Sequence, residues 1–198
     1  MRKLFLFFLG LALCLLSACN HSPQALSKEK KENNQLKPKQ SAQIIAKQEL
    51  INKYQHISPK EWGERVSGVK QRLQTNEKVV ALTLDACGGP NGSQYDQKLI
   101  DYLIRNQIPA TLFINSRWID ANRSTFLQLS KQPLFEIENH GTLHRPLSVN
   151  GKSIYGIQGT KNISEVIDEV WQNHQKITQL TGKSPRFFRA GTAYYDEV

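Results

Sequence analysis

Two histidines, His140 and His144, stand four positions apart in the segment that follows a predicted strand. If this segment makes a helical turn, residues at i and i+4 lie on one face, so both imidazoles can reach one metal ion. Neutral imidazole is a common ligand of zinc and similar ions. The alternative is a pair of solvated loop histidines. The position directly after a strand makes a metal site as good an interpretation as that alternative.

Two further polar residues also follow predicted strands. Asp85 ends an apolar strand, where its carboxylate loses hydration unless a cation, a metal ion or a backbone donor compensates. Arg189 ends an aromatic strand and could orient an aspartate or hold a substrate. Taken separately, Asp85 could be a turn or cap residue and Arg189 a surface ion-pair partner. Catalytic groups collect at the carboxyl ends of parallel strands, so the residues together predict a site.

Cysteine usage indicates a fold without an intrachain disulfide. Cys14 and Cys19 lie in the N-terminal segment, which leaves Cys87 alone in the rest of the chain. A nucleophilic Cys87 would need a base and an oxyanion site, and a lone thiolate outside the cytoplasm would be open to oxidation. We therefore predict that Cys87 is a packed, inert thiol.

The elements that position these residues alternate between strands and helices. Strands are predicted over 79–84, 110–114 and 134–137, with a further strand opening at Phe187 and Phe188. Helices are predicted over 93–106 and 124–131, and a third follows Asn162, with Glu165 completing a capping box and Gly182 at its end. A Gly-containing loop, 146–160, precedes that third helix. This alternation predicts an α/β fold with a mostly parallel sheet, open or barrel-like.

The N-terminus has the pattern of a secretory signal. Two basic residues precede an apolar run over 4–16, which is shorter than the roughly 20 residues that span a bilayer. The run ends in Leu16-Ser17-Ala18-Cys19, which resembles the lipobox of bacterial lipoproteins. That resemblance implies a signal peptide over 1–18, lipid on Cys19 and a membrane anchor. An ordinary signal peptide or an uncleaved anchor is the alternative. Asn20, by resemblance to the bacterial sorting rule, implies the periplasmic face of the outer membrane.

The formal net charge of +9 is concentrated near the N-terminus. Residues 20–60 hold eight Lys and three Glu, a net of +5, whereas 61–198 hold 16 basic and 14 acidic residues, a net of +2. This distribution argues against nucleic acid as a partner. The polar composition predicts a flexible basic tether over 19–57, with a local helix over 41–52.

The three clusters together resemble the polysaccharide deacetylase family (NodB-homology, carbohydrate esterase family four). The resemblance rests on Thr83-Leu84-Asp85, on His140-x-x-x-His144, on Phe188-Arg189-x-Gly191 and on Ala-Thr-Leu-Phe at 110–113. None of these parts is specific alone, and the set is fairly specific. It covers roughly residues 60–198, and we assign the domain to 58–198.

The resemblance implies a distorted (β/α) barrel of parallel strands and a divalent metal ion, usually zinc, held by two His and one Asp. By that analogy His140 and His144 are ligands, Asp85 is the general base, and Arg189 keeps Asp85 ionised. The implied activity is removal of N-acetyl groups from an amino-sugar polysaccharide, with peptidoglycan the first choice and another exported glycan the second. A metal ion would acidify bound water and polarise the acetamide carbonyl.

The chain departs from the family pattern at the first motif. The family usually has two successive aspartates, the second a ligand, and here the second position is Ala86. Either Asp85 takes over as a ligand or the ion has two protein ligands and more water. Asp96 and Glu138 are possible substitutes, although Asp96 is more typical of a helix start.

The family pattern also continues past the third motif to a late Leu-x-x-His, the acid for the leaving amine, for which residues 1–198 offer no candidate. We therefore expect an incomplete barrel whose C-terminal part is missing, with little or no activity in residues 1–198. The alternative to an enzyme is a truncated lipoprotein that is inactive or only binds glycan.

Overall fold

A computed structural model of the chain describes residues 38–198. The predicted signal peptide, Cys19 and the first part of the tether lie outside the described residues. The first described element is helix α1, Pro38–Tyr54, which contains and extends the local helix predicted over 41–52. Within residues 38–198, no helix combines the length and the apolar character needed to cross a bilayer.

Within the described residues, three parallel strands form a sheet in the order β1-β2-β3, which confirms the predicted α/β class. These strands are β1, Thr83–Ala86; β2, Ala110–Ile114; and β3, Phe135–Asn139. Strand β2 has the predicted bounds. Strand β3 extends two residues beyond the predicted end, so it includes Glu138 and Asn139.

The first predicted strand, 79–84, is wrong in its bounds. Of residues 79–82, only Leu82 bonds to the sheet, where its carbonyl accepts a hydrogen bond from the backbone N–H of Thr111 at 2.9 Å. Val80 is 96% exposed, so its β-branched side chain has no packing partner. Strand propensity depends on that packing, and apolar composition alone therefore misplaced the strand. As a consequence, Asp85 lies within β1 rather than after it.

In the part of the chain that the structure describes, four helices pack around the sheet: α2, Gln97–Arg105; α3, Ser116–Ala121; α4, Arg123–Leu129; and α5, Ile163–Thr181. Helix α2 begins later than predicted because the side chain of Asp96 caps it, accepting from the N–H of Leu99 at 2.9 Å. This confirms Asp96 as a helix-start residue. Helix α3 was not predicted.

Helix α5 follows the local signals read from the sequence. The Asn162 side chain accepts from the N–H of Glu165 at 3.0 Å, and Gly182 ends the helix in the left-handed region, with φ of 73°. The capping box is only half formed, because the Glu165 carboxylate accepts from the N–H of Lys161 at 3.2 Å rather than from Asn162.

Two predicted segments take a different form. The loop over 146–160 contains a short antiparallel hairpin, with β4, Ser153–Ile154, and β5, Ile157–Gln158. The strand predicted at Phe187 and Phe188 is reduced to a single parallel bridge between Phe188 and Asn139. Even so, the N–H of Arg189 donates to the carbonyl of Asn139 at 2.9 Å, which holds Arg189 beside the end of β3.

The core lies between the sheet and its helices. Its most deeply buried apolar side chains come from β2, α3, α4 and α5, and these are Ile114, Ile119, Phe126 and Ile177. Leu84 and Ala86 of β1 pack against the same cluster. One face of β1 is therefore committed to the core.

Candidate active site

The predicted site residues meet where β1 and β3 end. Asp85 is the third residue of β1, and His140 directly follows β3. Parallel pairing of β1, β2 and β3 brings these strand ends to one edge of the sheet. The structure therefore brings Asp85, His140, His144 and Arg189 together, as the sequence predicted.

The two histidines meet through a loop and not through the helical turn proposed from their spacing. Gly141 and His144 both have positive φ, 80° and 63°, which a helical turn does not allow. The loop bends so that the imidazole rings lie edge to face, with centroids 5.0 Å apart. The i, i+4 spacing thus predicted the correct pair of histidines, but the helical turn on which that prediction was based is absent from this loop.

His140 is 1% exposed and is held in one orientation by the backbone. Its Nδ1 lies 2.9 Å from the carbonyl oxygen of Arg189, so Nδ1 carries the proton and donates it to that oxygen. The tautomer assigned in this way leaves a lone pair on Nε2. Nε2 lies 3.8 Å from the sulfur of Cys87.

His144 contributes a buried nitrogen with no partner. Its Nε2 accepts no hydrogen bond and donates none among the described residues. Burial, and secondarily the neighbouring His140, lowers the pKa of His144 to about 4. Burial also lowers the pKa of His140, although Asp85 acts in the opposite direction. Both rings are therefore neutral near pH 7, the state in which imidazole binds metal.

Asp85 and Arg189 form an ion pair at the same edge of the sheet. Nη1 of Arg189 donates to Oδ1 of Asp85 at 2.7 Å, and Nη2 donates to the hydroxyl of Thr83 at 3.1 Å. The guanidinium also lies over the Phe113 ring, 4.2 Å from its centroid. The Asp85 side chain remains about one third exposed, so solvent can reach it.

Cys87 lies with the histidines, a position that the sequence analysis missed. The ligand atoms of Cys87, His140 and His144 all lie within 4.8 Å of one another. Burial, and secondarily Asp85, raises the pKa of the Cys87 thiol. The thiol is half-buried, yet it faces two imidazoles rather than the apolar core expected for an inert packed cysteine. Its place after β1, two residues beyond Asp85, is the period-2 signal that could have found it.

Glu138 and Asp96, the two carboxylates considered as substitute ligands, accept hydrogen bonds from backbone N–H groups instead. Glu138 is 1% exposed and accepts from the N–H groups of Arg186 at 2.7 Å and Phe187 at 2.6 Å. Burial raises the pKa of Glu138, and those N–H groups oppose the shift. Asp96 caps α2. Among residues 38–198, neither carboxylate joins the group formed by the histidines.

Glu169 of α5 holds the loop that carries His144, and no sequence pattern beyond its place on a helix indicated this role. Its carboxylate accepts from the N–H groups of Thr142, Leu143 and Arg145 at 3.0 to 3.2 Å. Burial raises the pKa of Glu169, while the Arg145 and Leu143 N–H groups oppose the shift. A Cβ on Gly141 would lie 2.5 Å from a Glu169 oxygen, so this approach requires glycine.

Buried asparagines hold the other side of the loop. The Asn115 amide donates to the carbonyls of His140 at 2.9 Å and Gly141 at 2.8 Å. The Asn173 amide donates to the Ile114 carbonyl and to Asn139, each at 2.8 Å. Because all three asparagines are almost fully buried, these bonds fix the backbone that carries His140.

The residues present fit a divalent metal ion. Two neutral imidazoles and a thiol converge, and one imidazole nitrogen is buried without any partner. An unpaired buried polar atom costs about 1–3 kcal/mol, which a ligated ion would offset. Nitrogen and sulfur donors suit zinc better than magnesium or calcium.

A family model for polysaccharide deacetylases matches residues 72–198, and the chain therefore belongs to the polysaccharide deacetylase family. Membership makes it part of a family whose description names the deacetylation of polysaccharides. It also agrees with the observed α/β fold and its parallel sheet. No curated protein sequence matches the chain.

Several solved structures are similar to parts of the chain. A family 4 carbohydrate esterase from Bacillus anthracis is 23% identical, with a TM-score of 0.46 over 59% of this chain and 50% of that one. The peptidoglycan deacetylase PdaC from Bacillus subtilis is 24% identical, with a TM-score of 0.44 over 60% and 51%. A family 4 pseudoenzyme from Bacillus anthracis is 21% identical, with a TM-score of 0.47 over 60% and 37%. The chain thus spans about half of these structures or less.

Proposed function

We propose that the chain is a metal-dependent hydrolase that removes N-acetyl groups from an amino-sugar polysaccharide. Family membership supports the reaction class and the polymer. The observation that carries the metal-dependent chemistry is the pair of neutral imidazoles, His140 and His144, beside the Asp85–Arg189 ion pair. A divalent ion held by the histidines would lower the pKa of water and polarise the acetamide carbonyl.

Asp85 has the geometry of a general base. Its Oδ1 is engaged by Arg189, which leaves Oδ2 free to take a proton from the attacking water. Arg189 is itself fixed by Thr83 and by the ring of Phe113, so the carboxylate is held in one orientation.

The predicted export to the cell envelope supports the choice of polymer. Export through the N-terminal signal would bring the domain to the cell envelope, where peptidoglycan is the first candidate substrate and another exported glycan the second. A lipid on Cys19 would hold it at the outer membrane, facing the periplasm. Mass spectrometry of the mature N-terminus tests the anchor. An unmodified residue other than Cys19 at that end contradicts it.

Acetate release from N-acetylglucosamine oligomers tests the hydrolase. Zinc-loaded protein should release acetate slowly, because residues 1–198 offer no candidate for the acid that protonates the leaving amine. A chelator should abolish this release, and Asp85→Asn should lower the remaining rate by roughly 10²- to 10⁴-fold. Asp120→Asn is the matched control, because Asp120 also pairs with a cation, Lys176 at 2.8 Å, but lies outside the site. Binding of the oligomer without metal-dependent acetate release would refute the hydrolase and leave the glycan-binding lipoprotein.

Metal content tests the ligands separately from turnover. The chain should bind one zinc ion, and His140→Ala and His144→Ala should each lose it. A His174→Ala variant serves as the control, because His174 stacks on Trp171 of α5 and does not belong to the group at the strand ends. Equal zinc content in all four proteins would contradict the metal site.

A further inference from the structure

Three possible donor atoms converge at the edge of the sheet, and their spacing is close to that of a zinc site. All lie within 4.8 Å of one another, and the sulfur of Cys87 is 3.8 Å from Nε2 of His140. In a tetrahedral zinc site, a thiolate sulfur and an imidazole nitrogen are roughly 3.6 Å apart, and two imidazole nitrogens roughly 3.3 Å. Small side-chain rotations would therefore bring the three atoms into range of one ion.

The tautomer of His140 also favours a shared metal ion. Its Nδ1–H is held by the Arg189 carbonyl, an arrangement that metal-ligating histidines usually have, and its lone pair on Nε2 lies on the side of the sulfur. A simple thiol–imidazole hydrogen bond would account for Cys87 and His140 alone. It would leave Nε2 of His144 buried and unpaired. An ion shared by all three accounts for each of them.

We infer that Cys87, as a thiolate, is the third protein ligand of the divalent ion, where the family usually places an aspartate. This inference rests on the proposed function, because it takes His140 and His144 as ligands. Asp85 then needs no role as a ligand. Its carboxylate stays with Arg189 at 2.7 Å and remains available as the base.

A thiolate ligand changes which ion the site prefers. Sulfur and imidazole donors favour zinc, whereas magnesium and manganese prefer carboxylate and water. The chain should therefore bind zinc far more tightly than manganese. Cys87→Asp, which supplies a carboxylate from the same position, should lower the ratio of zinc affinity to manganese affinity at least about tenfold.

The direct test uses the full chain with Cys14→Ser and Cys19→Ser, so that Cys87 is the remaining thiol. X-ray absorption at the zinc edge should show one sulfur neighbour at about 2.3 Å. Cobalt(II) in place of zinc should give sulfur-to-cobalt charge-transfer absorption in the near ultraviolet. Adding Cys87→Ser should remove both signals. It should also weaken zinc binding by more than the roughly 10- to 100-fold cost of losing an outer-shell partner.

The outcomes separate this inference from the proposed function. A zinc spectrum with only nitrogen and oxygen neighbours, in a protein whose His140→Ala and His144→Ala variants lose zinc, overturns the thiolate ligand and keeps the metal site. Zinc that persists in both histidine variants overturns the metal site itself. Metal-independent acetate release that iodoacetamide blocks would instead make Cys87 a nucleophile. Because the zinc spectrum needs no change at Cys87, misfolding of Cys87→Ser cannot hide the answer.

Discussion

Glu169 should be the residue through which α5 controls the position of His144. It is 3% exposed, and its carboxylate accepts hydrogen bonds from three backbone N–H groups, those of Thr142, Leu143 and Arg145, with that of Leu143 shared between the two oxygens. Hydrogen bonds to a charged group contribute about 1.5–3 kcal/mol each, and a buried donor left unpaired costs about 1–3 kcal/mol. Desolvation of the carboxylate, the cause of its raised pKa, offsets part of that gain.

These terms give an expected loss of about 2–4 kcal/mol in the free energy of unfolding for Glu169→Ala at pH 7. For a chain of this size, that corresponds to a fall in Tm of roughly 4–16 °C. Glu169→Gln should cost less, because its amide oxygen still accepts hydrogen bonds while its NH₂ group opposes an N–H donor. Glu165→Gln is the matched control, because Glu165 lies on the same helix in a partly exposed ion pair with Arg145 at 3.0 Å. Its loss should be below about 1 kcal/mol.

The assay is urea unfolding of the metal-free protein, followed by zinc titration of the folded variants. Glu169→Gln should weaken zinc binding by roughly 10- to 100-fold, as expected when an outer-shell partner is lost. Glu165→Gln should bind zinc like the unmodified chain. If Glu169→Ala is as stable as the control, the hydrogen bonds do not carry the stability assigned to them. If it is less stable but binds zinc normally, the loop does not depend on Glu169 to place His144.

Three other changes test the same site. A Cβ on Gly191 would lie 2.5 Å from Cγ of His144, so Gly191→Ala should lower zinc affinity at least about tenfold in titrations, and unchanged affinity would show that the loop yields freely. In the metal-free protein, the pKa of His144 is lowered to about 4, so folding favours the neutral ring. This contribution to the free energy of unfolding is complete above about pH 6.5 and is lost as the pH falls through 4. Because the ring is only partly buried, urea unfolding should show a loss of roughly 1–2 kcal/mol over that range, and His144→Asn should flatten it. Asn173→Leu removes one donor each from the Ile114 carbonyl and the Asn139 side chain, which still accept from the N–H groups of His140 and Gly141. It should cost about 1–3 kcal/mol in thermal unfolding, and no measurable loss would show that water replaces the amide.

Local signals predicted the elements whose ends depend on neighbouring residues. Asn162 and Gly182 bound α5 because a side-chain cap and a left-handed C-cap act within a few residues. Strand β2 was placed correctly because Pro109 precedes it and four of its five side chains are apolar. Strand β1 was misplaced because pairing, not composition, decides where a strand begins. Val80 has the right side chain and no neighbour to pack against.

The residues of the site were predictable to different degrees for physical reasons. His140, His144, Asp85 and Arg189 lie at or after the ends of the strands predicted from the sequence, so residue type and position together indicated them. Glu169 acts through backbone N–H groups of a loop 24 to 27 residues away, and no sequence spacing reports that contact. Such long-range hydrogen bonds follow only from how α5 packs over the loop.

The alternation of β1 explains the departure from the family's two aspartates. Thr83 and Asp85 both meet Arg189, so they share one face of the strand, while Leu84 and Ala86 pack against the core. A carboxylate at position 86 would enter that apolar layer, where an unpaired charge is costly. The next side chain on the face of Asp85 belongs to Cys87, whose sulfur meets His140 at 3.8 Å. In this chain, Ala86 therefore packs in the core, whereas Cys87 lies in the site.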